Sequence, residues 1–460
     1  MLVSKRAINF VRGWPAPSLL PASLLSAAAQ RILVDPVEYT PILEYAADEG
    51  YQPLRENLAK WLGRHYGFTP DPDRICITGG ASQGLACILQ SFTDVNYTRA
   101  VWMVAPCYHL VARIFEDSGF EGRLKSAPED DDGLDVELLE RRIKALEEEE
   151  KSKDIGPPYK PPHPKRKLYK HIIYCVPTCS NPSGKTMPIA RREALVRLAR
   201  KYNALIICDD VYDIIQWPIS SPVTPERPDS LRLPRLSDVD TAMGPSADDP
   251  QNFGYAISNG SFSKISGPGV RTGWVDASHA FAAGLASTGS SKSGGAPSQL
   301  CAAMLSNLVE TGELEAFIEG TTRPALQRRH GILMDAVRKY LKPHGLVPRE
   351  ASLNGEDTYG GYFVWIKIGP EFSSDLIADV ALREDNLVIG HGNMFAVRGD
   401  EEYASFEDYI RLCFAWESEE DLVDGVRRLG RILARMGENK EHYQSLETKA
   451  RGPKDMTKHV

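Results

Sequence analysis

The sequence predicts an α/β protein built on a mostly parallel sheet, followed by a smaller α+β domain. Between residues 52 and 210, short apolar segments rich in β-branched residues alternate with segments that carry apolar residues at helical spacing. Such alternation is typical of parallel sheets, in which a helix connects each strand to the next. Polar residues cluster where the short apolar segments end, and parallel sheets bind their ligands at that edge.

Two strands and two helices are predicted before residue 106. Residues 52–65 carry apolar side chains at helical spacing and therefore predict a helix. Residues 74–78 predict a short strand that ends in a loop of glycine and small polar residues, and a helix resumes by Leu85. Residues 101–105 predict a buried strand, which ends at Pro106 because proline cannot donate a hydrogen bond to a sheet.

The same alternation continues to the middle of the chain. Residues 171–176 predict a strand closed by Pro177, residues 189–202 an amphipathic helix, and residues 204–208 a strand closed by Asp209. Each of these strands delivers a turn-forming or polar residue to the same edge of the predicted sheet.

The pattern changes after residue 297. A long helical segment runs to residue 340, and it is followed by a strand, a helix, a strand and a final helix at residues 360–365, 374–384, 410–415 and 421–436. We therefore predict an N-terminal segment that joins the small domain, a large domain, a small C-terminal domain and a tail, at residues 1–35, 36–297, 298–437 and 438–460.

Two stretches are predicted to be surface insertions. Residues 130–170 begin acidic and end rich in proline and lysine, which is typical of a solvated helix and a linker. A partner-binding or targeting segment is the alternative interpretation. Residues 217–254 are rich in Pro, Ser and Asp and predict a long loop near the ligand site.

The composition excludes several classes of protein. The 460 residues are 42% apolar and 25% charged, and the formal net charge of −8 argues against a broad surface for nucleic acid. No apolar run approaches the about 20 residues that a membrane span requires. Eight scattered cysteines form no metal-binding pattern and favour a reducing compartment, so we expect a cytoplasmic protein without a metal site.

The most informative local pattern surrounds Lys264. This lysine follows Ser261 and Ser263 and precedes a Gly-Pro-Gly turn and Arg271. A lysine that forms a Schiff base must be fixed beside a cofactor, and its amine must be available unprotonated. The hydroxyl of Ser261 and the guanidinium of Arg271 are suited to binding one phosphate group. An exposed lysine without a chemical role is the alternative.

Three polar residues follow predicted strands and suit the ring of such a cofactor. Asp209 at a strand end can hold a pyridinium nitrogen protonated, which makes the ring an electron sink. Tyr212, and Asn181 in an Asn-Pro-Ser-Gly turn, can donate to the phenolic oxygen of the ring. Helix capping by Asp209 and a simple turn at Asn181 are the alternatives.

The remaining candidates lie at a loop, after a strand and inside a strand. Ala81 and Ser82 lie in the loop before a helix, where free N–H groups bind phosphate. Tyr108 follows a strand and is placed to stack on a ring, with core packing as the alternative. Arg411 lies in an apolar strand, where a charge needs a partner, and it suits an α-carboxylate or a structural ion pair.

Together these residues resemble the fold-type I aminotransferases of classes I and II, which use pyridoxal 5′-phosphate (PLP). The similar motifs run from Phe10 to about Leu433 and occur in the family's order. They comprise Tyr45 with Gly50-Tyr51, Leu54-Arg55, Gly80-Ala81-Ser82-Gln83, Ala105-Pro106-Cys107-Tyr108, Asn181-Pro182-Ser183-Gly184, Asp209-Asp210-Val211-Tyr212, Ser261-Phe262-Ser263-Lys264, Arg271 and Arg411.

Two further motifs are similar to one branch of this family. Gly13-Trp14-Pro15-Ala16-Pro17 and Gly360-Gly361-Tyr362-Phe363-Val364-Trp365 resemble the 2-aminoadipate/kynurenine aminotransferase branch. The resemblance implies a large PLP-binding domain with a mostly parallel central sheet flanked by helices, and a smaller α+β domain.

The resemblance also implies a role for each matching residue. Lys264 would bind PLP as a Schiff base and move the proton, Asp209 would pair with the ring nitrogen, and Asn181 and Tyr212 would contact the phenolic oxygen. Tyr108 would stack on the ring. The phosphate would be held by Ala81, Ser82, Ser261, Ser263 and Arg271, with Tyr45 from a neighbouring subunit of a homodimer. The substrate carboxylate would meet Arg411 and Asn181, close to Gly13 and Trp14.

The implied activity is transfer of an amino group from an L-amino acid, aromatic or 2-aminoadipate-like, to a 2-oxo acid such as 2-oxoglutarate. A PLP-dependent C–S lyase, or another enzyme that begins with Cα deprotonation, would use the same residues and is the first alternative. A PLP-binding regulator without catalysis is the second. The implied partners are small molecules and a second copy of the chain, with no nucleic acid and no membrane.

Overall fold

A large sheet and a smaller sheet form the framework of the protein, seen in a computed structural model that describes residues 6–151, 156–219, 231–292, 297–353 and 357–449. The strands in chain order are β1 (Ile8–Asn9), β2 (Ile75–Thr78), β3 (Ala100–Ala105), β4 (Leu124–Asp130), β5 (Gly133–Leu134), β6 (His171–Cys175), β7 (Ala204–Asp209), β8 (Gln216–Pro218), β9 (Ala256–Ser261), β10 (Gly273–Asp276), β11 (Val347–Pro348), β12 (Thr358–Gly360), β13 (Phe363–Lys367), β14 (Leu387–Val388), β15 (Gly390–His391) and β16 (Tyr409–Cys413).

Helices occupy most of the chain between these strands. In order they are α1 (Ala22–Ile32), α2 (Pro36–Leu43), α3 (Gln52–Tyr66), α4 (Ala81–Phe92), α5 (Ala112–Phe115), α6 (Val136–Glu150), α7 (Ile189–Lys201), α8 (Leu236–Ala242), α9 (His279–Ala286), α10 (Gly289–Lys292), α11 (Gln299–Glu310), α12 (Glu313–Phe317), α13 (Arg323–Tyr340), α14 (Ser374–Asp385), α15 (Glu419–Glu438) and α16 (Lys440–Lys449).

The large sheet is mostly parallel, as the sequence predicts. Within the described residues it has eight strands in the order β2-β10-β9-β7-β6-β3-β4-β5. The five central strands, β9, β7, β6, β3 and β4, pair in parallel, whereas β10 is antiparallel to both of its neighbours and β5 is antiparallel to β4. The non-sequential order places the ends of β6, β7 and β9 side by side.

Burial on both faces stabilises the centre of this sheet. Ile172, Ile173, Leu205, Ile206 and Ile207 are inaccessible to solvent. Burial of each such side chain contributes about 1.5–3 kcal/mol relative to exposure. Their near-continuous apolar run is what a strand buried on both faces requires. The polar residues that follow these strands are therefore attached to a rigid base.

The small sheet is antiparallel and receives the start of the chain as a neighbour. Its order is β11-β13-β16-β15. The short N-terminal strand β1 pairs in parallel with β14, and the Cys413 N–H donates to the Phe10 carbonyl at 2.9 Å. A further strand pair joins β8, between β7 and β9 in the chain, to β12, which directly precedes β13 of the small sheet.

Most predicted elements are found within two residues of their predicted ends, but three regions differ. The strand predicted at residues 360–365 begins only at Phe363, because Gly361 takes a left-handed conformation (φ 69°) between β12 and β13. The helical segment predicted to continue to residue 340 is broken into α11, α12 and α13, and Gly312 takes a left-handed conformation (φ 73°) where α12 begins. The loop predicted over residues 217–254 contains part of β8 and all of α8, while its residues 220–230 lie outside the described ranges. Helix α8 contacts α7 and β9 rather than the ligand site.

The insertion at residues 130–170 contains the predicted helix as α6, capped by the Asp135 side chain. Its later part is attached to the loop between α4 and β3, because the backbone N–H groups of Tyr159 and Lys160 donate to the Asp94 carboxylate. The predicted boundaries of the four parts of the chain stay a prediction, and the last part of the tail lies outside the described residues. Among the helices that the structure describes, none is long and apolar enough to cross a membrane.

Candidate active site

A cleft of about 230 Å³ lies where the carboxyl ends of the central strands meet the small sheet. Thirteen of the fourteen residues predicted for the site line it, namely Gly13, Trp14, Ala81, Ser82, Tyr108, Asn181, Asp209, Tyr212, Ser261, Ser263, Lys264, Arg271 and Arg411. The structure therefore brings together residues that are up to 398 positions apart in the sequence. The fourteenth, Tyr45, lies outside the cleft with 90% of its surface exposed.

Asp209 ends β7 at the floor of the cleft. Its Oδ2 atom accepts a hydrogen bond of 2.7 Å from the Tyr174 hydroxyl, while Oδ1 is buried with no hydrogen-bond partner among the described residues. Burial raises the pKa of this carboxyl to about 6, although Tyr174 and the charge of Lys264 oppose that shift. Asp209 thus presents one unoccupied carboxylate oxygen to the cleft.

Lys264 lies in the short turn Phe262–Lys264 that follows β9. Its Nζ atom donates to the Gly13 carbonyl at 2.8 Å, and its own carbonyl accepts from the Tyr362 hydroxyl at 3.0 Å. Burial lowers the pKa of the amine to about 8, and the nearby Arg411 guanidinium contributes in the same direction. A lysine in this state supplies the neutral amine that Schiff-base formation requires.

One end of the cleft forms a cradle for an anion. Gly80 (φ 101°) precedes the N-terminus of α4, and a Cβ atom at this position would lie 2.9 Å from Nη2 of Arg271. The free N–H groups of the twelve-residue helix and the guanidinium therefore approach the same space. Asn259 secures the start of the helix, because its Nδ2 atom donates to the Ala81 carbonyl at 2.9 Å.

Two serines complete this cradle. The Ser261 hydroxyl accepts from the Ser263 backbone N–H at 3.1 Å, and the two hydroxyl oxygens are 2.9 Å apart. Arg271 itself is held by the Pro268 carbonyl at 2.8 Å and the Gly79 carbonyl at 3.3 Å. Hydroxyl groups, helix N–H groups and a guanidinium form a donor set that suits a phosphate.

Arg411 occupies the opposite end of the cleft. Its guanidinium, only 2% exposed as a residue, donates to Asn181 Oδ1 at 2.8 Å and to the Val11 carbonyl at 2.5 Å. Its Nε atom is buried with no hydrogen-bond partner in the described part of the chain. Burial lowers the pKa of Arg411 to about 10, so the group stays charged at neutral pH. Among the described residues Arg411 has no ion pair, which was the alternative role, and the two partners that accept its hydrogen bonds are uncharged.

Aromatic rings surround the space between the two ends. Tyr108 follows β3 after the cis Ala105–Pro106 peptide, and burial raises the pKa of its hydroxyl to about 12. The Tyr212 ring lies 5.6 Å from the Tyr362 ring. The hydroxyl groups of Tyr108 and Tyr212 therefore remain neutral hydrogen-bond donors at physiological pH.

The N-terminal segment closes the cleft from the side of the small sheet. A Cβ atom on Gly13 would lie 2.6 Å from the Phe363 ring, so the close approach requires glycine. Trp14 remains 43% exposed and packs edge-to-face on Trp416 at 5.5 Å. Gly13 and Trp14 thus reach the site through the pairing of β1 with β14.

No role in the site is predicted from the sequence for Phe363 and Tyr174, which shape it together with Phe395. Phe363 lies under the Arg411 guanidinium at 4.0 Å, and Phe395 lies 4.7 Å from it, so the buried cation is packed between two rings. Tyr174, the partner of Asp209, lies inside a predicted strand. A tyrosine hydroxyl in an otherwise apolar strand was the signal, since a buried hydroxyl needs a partner.

The arrangement fits PLP on the evidence of its unpaired atoms. The orphaned Asp209 Oδ1 atom suits the ring N–H, the cradle at Gly80 and Arg271 suits the phosphate, and Lys264 lines the same cleft with a lowered pKa. No group of three or more His, Cys, Asp or Glu side chains in the described ranges is placed to hold a metal ion.

Comparison with known proteins agrees with this geometry. Residues 18–429 match the family model described as aminotransferase class I and II. An aromatic-amino-acid aminotransferase of Thermococcus litoralis is 26% identical over 93% of this chain and 88% of its own. A 2-aminoadipate transaminase of Thermus thermophilus is 27% identical over 93% of this chain and 90% of its own. The crystal structure of a Pyrococcus horikoshii kynurenine aminotransferase superposes with a TM-score of 0.72 at 24% identity, over 93% of this chain and 91% of that one.

Proposed function

This chain belongs to the aminotransferases of classes I and II, a PLP-dependent family, and we propose that it transfers the amino group of an aromatic or 2-aminoadipate-like L-amino acid to a 2-oxo acid such as 2-oxoglutarate. The resemblance to the 2-aminoadipate/kynurenine branch is confirmed by the relatives found. One observation supports the proposal most directly. A neutralisable lysine, a carboxylate with a free oxygen and a buried arginine with a free Nε atom converge on one cleft.

Bound PLP supplies an electron-withdrawing ring that stabilises negative charge at the Cα atom of an attached amino acid. The protein's part is to position the reacting groups and to move the proton. Lys264 Nζ, neutral in part at pH 8, is the atom that accepts the Cα proton and returns it. Asp209, whose Oδ1 atom has no hydrogen-bond partner among the described residues, would hold the ring nitrogen protonated and so keep the ring electron-poor.

The other residues bind and orient. Asn181 and Tyr212 would donate to the phenolic oxygen of PLP, and Tyr108 would pack against its ring. Ala81, Ser82, Ser261, Ser263 and Arg271 would hold the phosphate. Arg411 and Asn181 bind the α-carboxylate of the substrate, which fixes the Cα–H bond relative to Lys264 Nζ. The mutual contacts and unpaired atoms of these side chains support the assignment.

The lining of the cleft favours an aromatic donor over a dicarboxylic one. The cations among its described lining residues are Lys264, Arg271 and Arg411. The first two are assigned to the cofactor, which leaves Arg411 for the α-carboxylate. Trp14, Phe363, Val11 and Leu110 also line the cleft, and these apolar side chains suit an aromatic donor. His109 lines it too, but burial lowers its pKa to about 3, so it adds no positive charge for a second carboxylate.

We further propose a homodimer in which Tyr45 contacts the phosphate of the neighbouring subunit. The segment around α2 exposes a set of large apolar residues, namely Leu33, Val34, Val37, Leu43 and Tyr45. Single exposed apolar residues are ordinary, but a contiguous set on one segment marks an interaction surface. Light scattering gives the oligomeric state, and Tyr45→Phe is expected to weaken PLP binding without changing that state.

A cytoplasmic location is proposed on the state of the cysteines. All eight are free, and seven of them are buried. Buried free thiols are typical of proteins that work in a reducing compartment.

A half-reaction screen tests the proposed function. The PLP-loaded protein is mixed with single amino acids, and the loss of visible absorbance and the formation of pyridoxamine phosphate are followed. Aromatic donors are expected to react fastest and 2-aminoadipate more slowly. Release of pyruvate and ammonia without pyridoxamine phosphate would assign a lyase instead, and no reaction with any donor would remove the catalytic assignment.

A further inference from the structure

The hydrogen bond between Tyr174 and Asp209 follows from the register of two central strands. Tyr174 on β6 lies opposite Ile207 on β7. Side chains two residues apart on a strand point to the same face, so Asp209 shares the face of Ile207 one step nearer the cleft. The long tyrosine side chain crosses this diagonal, and its hydroxyl reaches Asp209 Oδ2 at 2.7 Å.

The tyrosine is fixed and remains a donor. Its ring is buried and packs edge-to-face on Phe115 at a centroid distance of 5.8 Å. Burial raises the pKa of the Tyr174 hydroxyl well above its usual value, and the adjacent Asp209 charge acts in the same direction. The hydroxyl therefore stays protonated throughout the working pH range and donates a hydrogen bond to the carboxylate.

This contact makes the two oxygens of Asp209 unequal. Oδ2 is occupied by Tyr174, whereas Oδ1 has no hydrogen-bond partner in the part of the chain described. The other titratable groups that face the carboxyl are Lys264, which stabilises its charge, and Asp213, which opposes it. Tyr108 and Tyr212 also lie within its electrostatic reach. Tyr174 is the uncharged group among these that donates a direct hydrogen bond to Asp209.

We propose that Tyr174 is a positioning residue that directs Asp209 Oδ1 toward the cofactor ring nitrogen. It also keeps the Asp209 carboxylate a weaker base than that nitrogen. The inference rests on the proposed role of Asp209. A hydrogen bond to a carboxylate favours its charged form. With Tyr174 in place, the proton shared between the ring nitrogen and Asp209 stays on the nitrogen. Without it, the carboxyl becomes more basic and draws that proton toward itself.

The test is Tyr174→Phe, which removes one hydroxyl and keeps the ring against Phe115. The variant is loaded with PLP labelled with ¹⁵N in the ring, and the nitrogen resonance is followed against pH. We expect the resonance to move toward that of an unprotonated pyridine. The midpoint of its pH dependence is expected to shift by about one unit, the effect of losing one hydrogen bond to a charged group. We expect kcat to fall by about tenfold while PLP binding changes by a few-fold at most.

Tyr169→Phe is the matched control. Tyr169 is equally buried, and its hydroxyl donates to the Gly254 carbonyl at 2.6 Å, outside the cleft. This variant loses a buried hydroxyl without touching Asp209, so its ¹⁵N resonance is expected to match that of the wild type. A resonance and midpoint unchanged in Tyr174→Phe would overturn the inference.

Asp209→Asn separates this inference from the proposed function. If this variant shifts the nitrogen resonance and Tyr174→Phe does not, Asp209 keeps its role and the role of Tyr174 is refuted. If Asp209→Asn leaves the resonance as in the wild type, the pairing of Asp209 with the ring nitrogen is itself wrong, and the inference about Tyr174 is refuted with it.

Discussion

The two ends of the cleft are built in different ways. At the cofactor end, Asp209 ends β7 and Lys264 follows the neighbouring parallel strand β9, and Asp209 accepts a hydrogen bond from Tyr174 of β6. At the substrate end, Arg411 from the small sheet donates to the Val11 carbonyl, 400 positions earlier in the chain, and to Asn181 in the turn after β6. One sheet carries both reacting groups of the first end, although Lys264 also donates to the Gly13 carbonyl, whereas the contacts of the second end join three distant segments.

This difference assigns different tasks to the two ends. The cofactor end positions groups that must not move during chemistry, and a sheet buried on both faces suits that task. The substrate end must accept and release a ligand, and its contacts run through a short strand pair and the exposed Trp14. Substitutions at the first end are expected to affect kcat, and those at the second to affect KM.

Loss of Lys264 is expected to have the largest effect. Lys264→Ala removes the atom that moves the proton, and turnover should fall by at least about 10⁴-fold. Loss of the visible absorbance of the lysine-bound cofactor provides an independent measurement. Lys167→Ala is the control, because burial also lowers the pKa of Lys167 to about 8, but this lysine lies outside the cleft, over the Tyr255 ring at 3.6 Å. Turnover that survives in Lys264→Ala, or is lost equally in both variants, would contradict the assignment.

Removal of Arg411 tests the substrate end. Arg411→Ala should raise the KM for amino acids by about 10²–10³-fold, because truncating one partner of a buried charged contact costs about 2–5 kcal/mol. PLP affinity, measured by equilibrium dialysis, should change little. Arg398→Ala is the matched control, since Arg398 is exposed and its ion pair with Glu116 is 3.5 Å long. An unchanged KM in Arg411→Ala would exclude it from carboxylate binding.

Without bound cofactor, the buried Asp209 carboxylate is expected to lower the free energy of unfolding of the protein. The Asp209 carboxyl titrates near 3.9 in an unfolded chain, whereas burial raises its folded pKa to about 6. The folded state therefore binds more protons between these values, and the stability of the cofactor-free protein should fall as pH rises from about 4 to about 6. Asp209→Asn should stabilise that protein by about 2–3 kcal/mol above pH 6 and not below pH 4.

Urea unfolding of the cofactor-free protein at both pH values measures this gain. Asp400→Asn is the control, because Asp400 accepts from the Ser126 N–H at 2.7 Å and pairs with Arg142 at 2.9 Å. That variant should lose stability instead. A gain in Asp209→Asn that is the same at both pH values would show that its charge is not the cause.

The smallest effect is expected at Trp14. Trp14→Ala should raise the KM for aromatic donors by about tenfold or less, since aromatic contacts contribute about 0.5–1.5 kcal/mol beyond burial. The KM for L-alanine should stay the same, and so should the PLP affinity. An equal rise for both donors would indicate that Trp14 supports the cleft wall through Trp416 rather than contacting the substrate side chain.

The cofactor end could be predicted almost completely from the sequence. Asp209 follows a predicted strand, and local pattern is enough to place strand ends at one edge of a parallel sheet. Lys264 and Arg271 were identified by the serines before the lysine and the Gly-Pro-Gly turn between the two residues, and the strand β9 that precedes Lys264 was not predicted. Asn181 and Tyr108 also follow predicted strands, and the resemblance of ordered motifs to a known family added Gly13 and Trp14. Long helical periodicity between residues 298 and 340 predicted helix but not the break at Gly312, because a single left-handed glycine leaves the apolar spacing on either side intact.

The substrate end and the support of Asp209 were decided by the tertiary structure. The pattern of apolar residues and turns in this sequence fixes which segments are strands and helices, because those preferences act over a few residues. It does not fix that the Val11 carbonyl accepts a hydrogen bond from Arg411 or that Phe363 lies against Gly13. Nor does it fix that the Tyr174 hydroxyl donates to Asp209. Such contacts depend on how distant segments pack, and only the folded chain determines that packing.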